Sequence, residues 1–258
     1  MTNLKADAVD YRIAMRRVAE AGEEALYRFY KCGNNFEKRS KVFDSQIMPF
    51  VEKYGTLRRS ACLDIGYGPG ALVLSALSHF NISCGVDVHQ EMEFILDILH
   101  RKCEEQGIRK GYIWLKSTER DTIPFDTNSM DLVYSWTVFM HLGDITIADS
   151  YLKETFRVLR PGGLAVIYFA RIQRSKKRQT KEEWKHDIKH EQFEWLQKDN
   201  VKIQKINLTI SMKWMVNRCK EIGFEVLEET ASTINIHEIT YYCGQHGVVL
   251  RKPREEQL

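Results

Sequence analysis

The sequence predicts an α/β fold: a mostly parallel, twisted sheet with helices on both faces and an antiparallel strand pair at its end. Three observations carry that expectation. Ala61 to Ile65 is a short apolar run that passes through Gly66-Tyr67-Gly68-Pro69-Gly70 into a helical segment starting at Ala71. Ile82 to Val88 is a second short buried run, ending at the acid Asp87. A helix-patterned stretch from Tyr151 is stopped by Pro161-Gly162-Gly163, after which Leu164 to Ala170 reads as another strand.

In chain order, Tyr11, Met15, Val18, Gly22, Leu26 and Phe29 recur at helical spacing, and Phe36, Phe43, Ile47, Val51 and Tyr54 do so again. Two helices over residues 1–56 are therefore expected to cap the sheet, with Pro49 kinking the second or marking a junction. The aromatic cluster Tyr27, Phe29 and Tyr30 is a candidate lid, although core packing accounts for such residues as well.

Residues 57–170 form the expected cofactor-binding core. Glycines at 66, 68 and 70 let the backbone turn sharply and approach a ligand that side chains would block, while the next helix points its free amides into the same space. This is a nucleotide-cofactor cradle, and two cofactor classes compete for it. Gly66, Gly68 and Ala71 also satisfy the dinucleotide fingerprint, with Asp87 at about the ~20-residue distance expected of its ribose-binding acid.

The flanks separate the two. A carboxylate, Asp64, lies two residues before Gly66, and Gly70 falls where a methionine moiety would pass in place of a pyrophosphate. With these flanks the segment closely resembles the first motif of the class I S-adenosylmethionine-dependent methyltransferases. The resemblance implies a three-layer, Rossmann-like, seven-stranded sheet. It also implies S-adenosyl-L-methionine as cofactor, with S-adenosyl-L-homocysteine as product. It assigns Asp64, Gly66, Tyr67, Gly68 and Gly70 to the cradle, Asp87 to the ribose, and Val88 to cofactor contact beside it. Ser117 to Phe125 is similar to the family's acidic loop before a Leu-Pro-Phe turn, which puts Glu119 and the Arg120 backbone near the adenine. Met130 to Leu142 looks like the fourth strand and the loop beside the reacting methyl, with Ser135 and Trp136 along the methionine end. The likeness is specific from about Arg59 to Arg171 and fainter over Glu221 to Val226 and Gly244 to Lys252. A nicotinamide-dependent oxidoreductase, the rival reading, leaves Asp64, Pro124-Phe125 and Pro161-Gly162-Gly163 without a role.

Methyl transfer from a sulfonium is an in-line displacement whose leaving group needs no acid, so few catalytic side chains are expected. A hydroxyl acceptor must lose its proton, and His141, just after the fourth strand, is the candidate base. A histidine there also serves simply to tie the loop to backbone carbonyls. Asp144 reads as a helix N-cap, and His89 is expected at the adenosine rim or in solvent. His186, His190, His237 and His246 show no metal-ligand spacing, so no metal site is expected. Ser135-Trp136-Thr137-Val138 differs from the Asn-Pro-Pro-Tyr type of sequence found in enzymes that methylate amino groups of bases or glutamine. A small-molecule acceptor remains, with a sugar or glycan-precursor hydroxyl preferred and a quinone, polyketide or other metabolite as the alternative.

No Ser/Gly/Pro-rich linker divides the 258 residues, so one domain is expected. Residues 171–210 form a substrate or lid insert, and 211–258 a last helix with the antiparallel strands. Thr180 with Glu183 makes a capping box, after which Trp184, Ile188 and Trp195 share a helical face. The basic run Arg171, Arg174, Lys176, Lys177, Arg178 and Lys181 keeps RNA or protein as alternative substrates. Interleaved Glu182, Glu183 and Asp187 favour a solvated helix start instead. A net charge of +3, from 38 basic against 35 acidic residues, does not by itself argue for nucleic acid. Six cysteines without C-x-x-C spacing read as reduced, and no signal-peptide or membrane-length apolar run is present, so a cytoplasmic protein is expected.

Overall fold

A computed structural model describes residues 4–30, 36–55, 58–108, 110–119, 122–170, 178–189, 201–204 and 207–254. The glycine turn joins β1 (Ala61–Ile65) to α5 (Ala71–Ala76); β2 (Ile82–Asp87), α6 (Met92–Glu105) and β3 (Tyr112–Ser117) follow. Next come β4 (Met130–Ser135), α7 (Ile145–Val158) and β5 (Leu159–Phe169). The insert contributes α8 (Lys181–Lys189) and a small separate hairpin, β6 (Val201–Gln204) with β7 (Asn207–Ile210). The chain then runs through α9 (Met212–Ile222), β8 (Glu225–Ile236) and β9 (Ile239–Arg251).

The main sheet has seven strands in the order β3-β2-β1-β4-β5-β9-β8; β1 to β5 are parallel, and β9 pairs antiparallel with both β5 and β8. Successive side chains on a strand point to opposite faces, so each central strand feeds two cores. Leu63, Ile65, Val133 and Ile167 pack on the α7 and α9 side, whereas Cys62, Leu132, Tyr134 and Val166 pack on the α5 and α6 side. The chain reverses direction across the sheet between β1 and β4, and the carboxyl ends of those strands flank a crevice where α/β sheets bind ligands.

The structure refines the elements read from sequence. The first cap helix is two, α1 (Leu4–Ala21) and α2 (Glu23–Phe29), because Gly22 has φ 89° and breaks the hydrogen-bond ladder. The second is α3 (Phe36–Val42) and α4 (Met48–Tyr54), joined by a π-helical turn, Phe43–Ile47. Pro49 sits in the first turn of α4, where its missing N–H is tolerated. α7 ends at Val158, before the Pro-Gly-Gly turn. Leu159 already pairs with Met130, the register shifts across Pro161 to Gly163, and the ladder resumes at Leu164. The antiparallel pair is longer than expected, since β8 and β9 form a hairpin closed by His237 (φ 48°) and Glu238 (φ 64°). No helix among the described residues is long and apolar enough to cross a membrane.

Candidate functional site

Each glycine of the turn has positive φ, 77° at Gly66, 51° at Gly68 and 81° at Gly70. The Gly66 amide donates to Val86 O at 2.7 Å, fastening the turn to β2. A Cβ on Gly66 would lie 2.2 Å from Val138 Cγ2, and one on Gly68 would lie 3.1 Å from the Tyr30 ring. Bare backbone is therefore required at both positions, between β4's loop and the N-terminal helices. Gly70 differs: it caps α5, a Cβ there would meet Leu99 Cδ1 at 2.7 Å, and it does not line the cavity. Its smallness lets α5 pack against α6.

A cavity of 820 Å³ opens at the carboxyl ends of β1, β2 and β4. Asp64, Gly66, Tyr67 and Gly68 line it from β1 and the turn, and Asp87, Val88 and Glu119 from β2 and the loop after β3. Trp136 and His141 line it from the loop after β4. Ser135 is buried beneath that wall, its hydroxyl donating to Ile65 O at 3.2 Å. Arg120 lies outside the described residues. Asp87 is held by two backbone donors, the Gly68 amide to Oδ2 at 2.9 Å and the Val88 amide to Oδ1 at 2.7 Å. With each oxygen keeping a further lone pair, the carboxylate is set for a vicinal diol.

The N-terminal helices close the cavity from above. Tyr11, Phe29 and Tyr30 line it, whereas Tyr27 turns away to bond Glu23 and pack against Phe36. The Tyr11 and Tyr30 hydroxyls are hydrogen-bonded to each other. Arg12 fastens α1 to the sheet by donating to Val88 O (2.6 Å), Thr118 O (3.0 Å) and Glu119 O (2.9 Å). Tyr11 and Arg12 were not singled out from sequence as site residues. The partners of Arg12 lie 76 to 107 positions away and that of Tyr11 19 away, so no local spacing marks them.

A bare glycine turn, an acid at the end of β2 fixed by backbone amides, and an antiparallel β9 between β5 and β8 fit an adenosine-bearing sulfonium. A family model described as a methyltransferase domain matches residues 63–167, the span from β1 to β5 that builds this crevice. Over residues 63–167 the chain is similar to that methyltransferase family. It is 34% identical over 77 residues to the mitochondrial 2-methoxy-6-polyprenyl-1,4-benzoquinol methylase of Bos taurus, covering 30% of this chain and 21% of that protein. It is also 31% identical over 117 residues to a demethylmenaquinone methyltransferase of Lactobacillus johnsonii, covering 44% and 45%. The chain thus spans less than half the length of these curated relatives. A S-adenosylmethionine-dependent methyltransferase from Methanosarcina mazei shares the fold, with TM-score 0.57 at 17% identity over 80% of this chain and 98% of that one.

At the base of this cavity, burial raises the Asp64 carboxyl well above the ordinary carboxylate range, and the nearby Asp87 adds to it. The folded chain therefore holds a proton on Asp64 after the unfolded chain has lost it, and stability falls as pH rises through that window. A cation bound in the cavity would favour the charged carboxylate and oppose that shift. Asp64→Asn should accordingly raise the melting temperature at neutral pH. In the parent, affinity for the sulfonium cofactor should rise with pH toward neutrality, by up to about tenfold per unit below the raised value. Calorimetric titrations across pH test this, and a flat profile in the parent rules it out.

The acceptor side is built by the loop after β4. Thr137 has φ 62°, rare for a β-branched residue, and this bend carries Val138, Met140 and His141 to the cavity. Burial lowers the His141 pKa from its usual value, and the ring stays neutral at pH 7. Asp144 caps α7, Oδ1 accepting from the Thr146 amide at 2.8 Å. The insert touches this wall from behind: β7 packs on the turn Phe139–His141, with Leu208 and Ile210 fully buried. Thr180 and Glu183 form the reciprocal capping box, with bonds of 2.9 and 3.2 Å. Trp184 is buried against Tyr242 at 5.0 Å, on the core and away from the cavity. Trp195 and the basic residues 171 to 177 lie outside the described residues. His89 is fully buried, where the sequence suggested the rim or solvent, because the N-terminal helices cover it. Among the described residues, no three His, Cys, Asp or Glu side chains gather as a metal site.

Proposed function

We propose that this chain transfers a methyl group from S-adenosyl-L-methionine to a flat, largely apolar acceptor bearing an ionisable hydroxyl, of quinol or phenol type. When bound, the cofactor supplies an electrophilic methyl on sulfur. The Gly66 to Gly68 backbone and Asp64 would hold its methionine end, Asp87 its ribose, and Val88 and Glu119 its adenine side. The remaining chemistry belongs to the protein: orienting the acceptor, excluding water and taking a proton.

The observation that carries the acceptor class is the wall beyond the cradle. Phe29, Trp136, Val138, Met140, Leu142 and Ile147 line it. Such a wall favours apolar contact and ring stacking. A sugar, the acceptor preferred from sequence, displays several hydroxyls that each need a polar partner on burial, whereas this wall is mostly apolar and its polar groups, Thr137, His141, Asp144 and Thr146, are interspersed with that apolar surface. The printed names of the quinol and menaquinone relatives agree with the aromatic alternative.

His141, neutral near pH 7, accepts the acceptor's proton in this reading. His141→Ala should lower kcat by about a hundredfold or more while leaving cofactor affinity within twofold. In the parent, the acidic limb of the kcat profile should fall below the ordinary imidazole value. Equal turnover in both proteins removes His141 from the base role. The reading as a whole is tested by incubating the purified chain with isotopically labelled S-adenosyl-L-methionine and a set of quinols, phenols, sugar nucleotides and RNA. Label in the quinol or phenol fraction supports it, whereas label confined to sugar nucleotide or RNA replaces it. Stabilisation by NAD but not by S-adenosyl-L-homocysteine overturns the cofactor assignment.

A further inference from the structure

His89 is completely buried directly after the ribose acid, and the cradle described so far does not use it. Its Nδ1 accepts from the Glu91 amide at 3.3 Å, so a neutral ring carries its proton on Nε2. That Nε2 has no hydrogen-bond partner, although it lies 3.9 Å from Asp87 Oδ2. The ring is wedged between Tyr67, edge to face at 5.0 Å, and Tyr11 of the roof at 6.2 Å. A buried donor without an acceptor destabilises the fold, so its retention calls for a compensating role.

We propose that His89 is a positioning residue for Asp87, its Nε2–H holding the carboxylate from behind in the orientation that ribose hydroxyls require. This rests on the cofactor assignment above. A bond closes with a shift of about 1 Å, since N–H···O contacts form near 2.9 Å. The groups against the ring among the described residues are Asp87 and Glu91, the rings of Tyr11 and Tyr67, and Arg16 through its 3.9 Å contact with Glu91. Asp87 is thereby gripped by three donors, two of backbone and one of side chain.

Three substitutions separate this role from plain packing. His89→Asn keeps an acceptor for the Glu91 amide and loses the donor toward Asp87; His89→Leu loses both and removes the orphan; His89→Gln retains a donor that reaches Asp87. Dissociation constants for S-adenosyl-L-homocysteine should rise about tenfold in the Asn and Leu variants, with melting temperatures equal to or above the parent's, and by less than threefold in Gln. The loss should vanish with the 2′-deoxyribose analogue of the ligand and in an Asp87→Ala background, where the same His89 change adds nothing. Unchanged affinity in folded Asn and Leu variants overturns the proposal. So does a loss of equal size for the deoxy analogue or in the Asp87→Ala background. A parent chain that fails to bind S-adenosyl-L-homocysteine at all refutes the cofactor assignment instead.

Discussion

Asp87→Asn should weaken the dissociation constant for S-adenosyl-L-homocysteine by about a hundredfold, and should do so as thoroughly as Asp87→Ala. Asparagine is the usual conservative replacement for aspartate, but this site excludes it on geometry. Oδ2 accepts from the Gly68 amide at 2.9 Å and Oδ1 from the Val88 amide at 2.7 Å. Whichever way an amide is turned, its NH₂ faces a backbone donor, and one of the two bonds becomes a repulsion. The charged acceptor for the ribose diol is lost in the same step. Each charge-assisted bond contributes roughly 1.5–3 kcal/mol, so two of them account for the hundredfold. The residue is also 7% exposed, so an orphaned amide at Gly68 should loosen the turn in the unliganded protein. Calorimetric titration with melting curves checks both parts. An Asn variant binding within threefold of the parent would remove Asp87 from the ribose site and with it the strongest link between this crevice and an adenosine cofactor.

The parts of this site that sequence exposes are those whose chemistry is local. A glycine run between an apolar strand and a helix, and an acid closing the next strand, are visible because the backbone geometry they need is set by neighbours in sequence. The Asp144 cap and the Thr180–Glu183 box are legible for the same reason, their bonds spanning two or three residues. Even there, a local reading puts a methionine moiety beside Gly70. The neighbour is Leu99 of α6, and that is a packing fact.

What stayed hidden depends on contacts between distant segments. Arg12 is one more arginine on an amphipathic helix until its guanidinium meets three carbonyls at the ends of β2 and β3. Gln46 is similar: from the π-helical turn its side-chain amide donates to Thr233 O at 3.1 Å and accepts from Thr233 N at 2.9 Å, a strand-like pairing made by a side chain. No periodicity marks either residue. The burial of His89 is not legible in sequence because a polar residue beyond a strand end is exposed by default, and Tyr67 of the glycine turn and Tyr11 from α1 pack against it in the fold.

Gly66→Ala should be the most damaging single methyl in the chain, lowering stability by about 3 kcal/mol and the melting temperature by roughly 6–12 °C. Two effects add. At φ 77° an L-residue is strained by about 1–2 kcal/mol, and the new Cβ lands 2.2 Å from Val138 Cγ2, an overpacking that costs about 1–3 kcal/mol. Gly107 isolates the first effect, because it has φ 66° and nothing within 4 Å of a built Cβ. Gly107→Ala should therefore cost only the strain. Val138→Ala isolates the second: in that background Gly66→Ala should recover about half its loss, the clash being relieved and the strain kept. The functional consequence follows from where Val138 sits. Relief of the clash pushes the loop that carries Trp136, Met140 and His141, so activity should fall further than cofactor affinity in Gly66→Ala, and the Val138→Ala background should return part of it. Melting curves on the four variants decide the matter. Equal losses for Gly66→Ala and Gly107→Ala would mean that the contact with Val138 yields freely and that the turn and the acceptor wall are not mechanically joined.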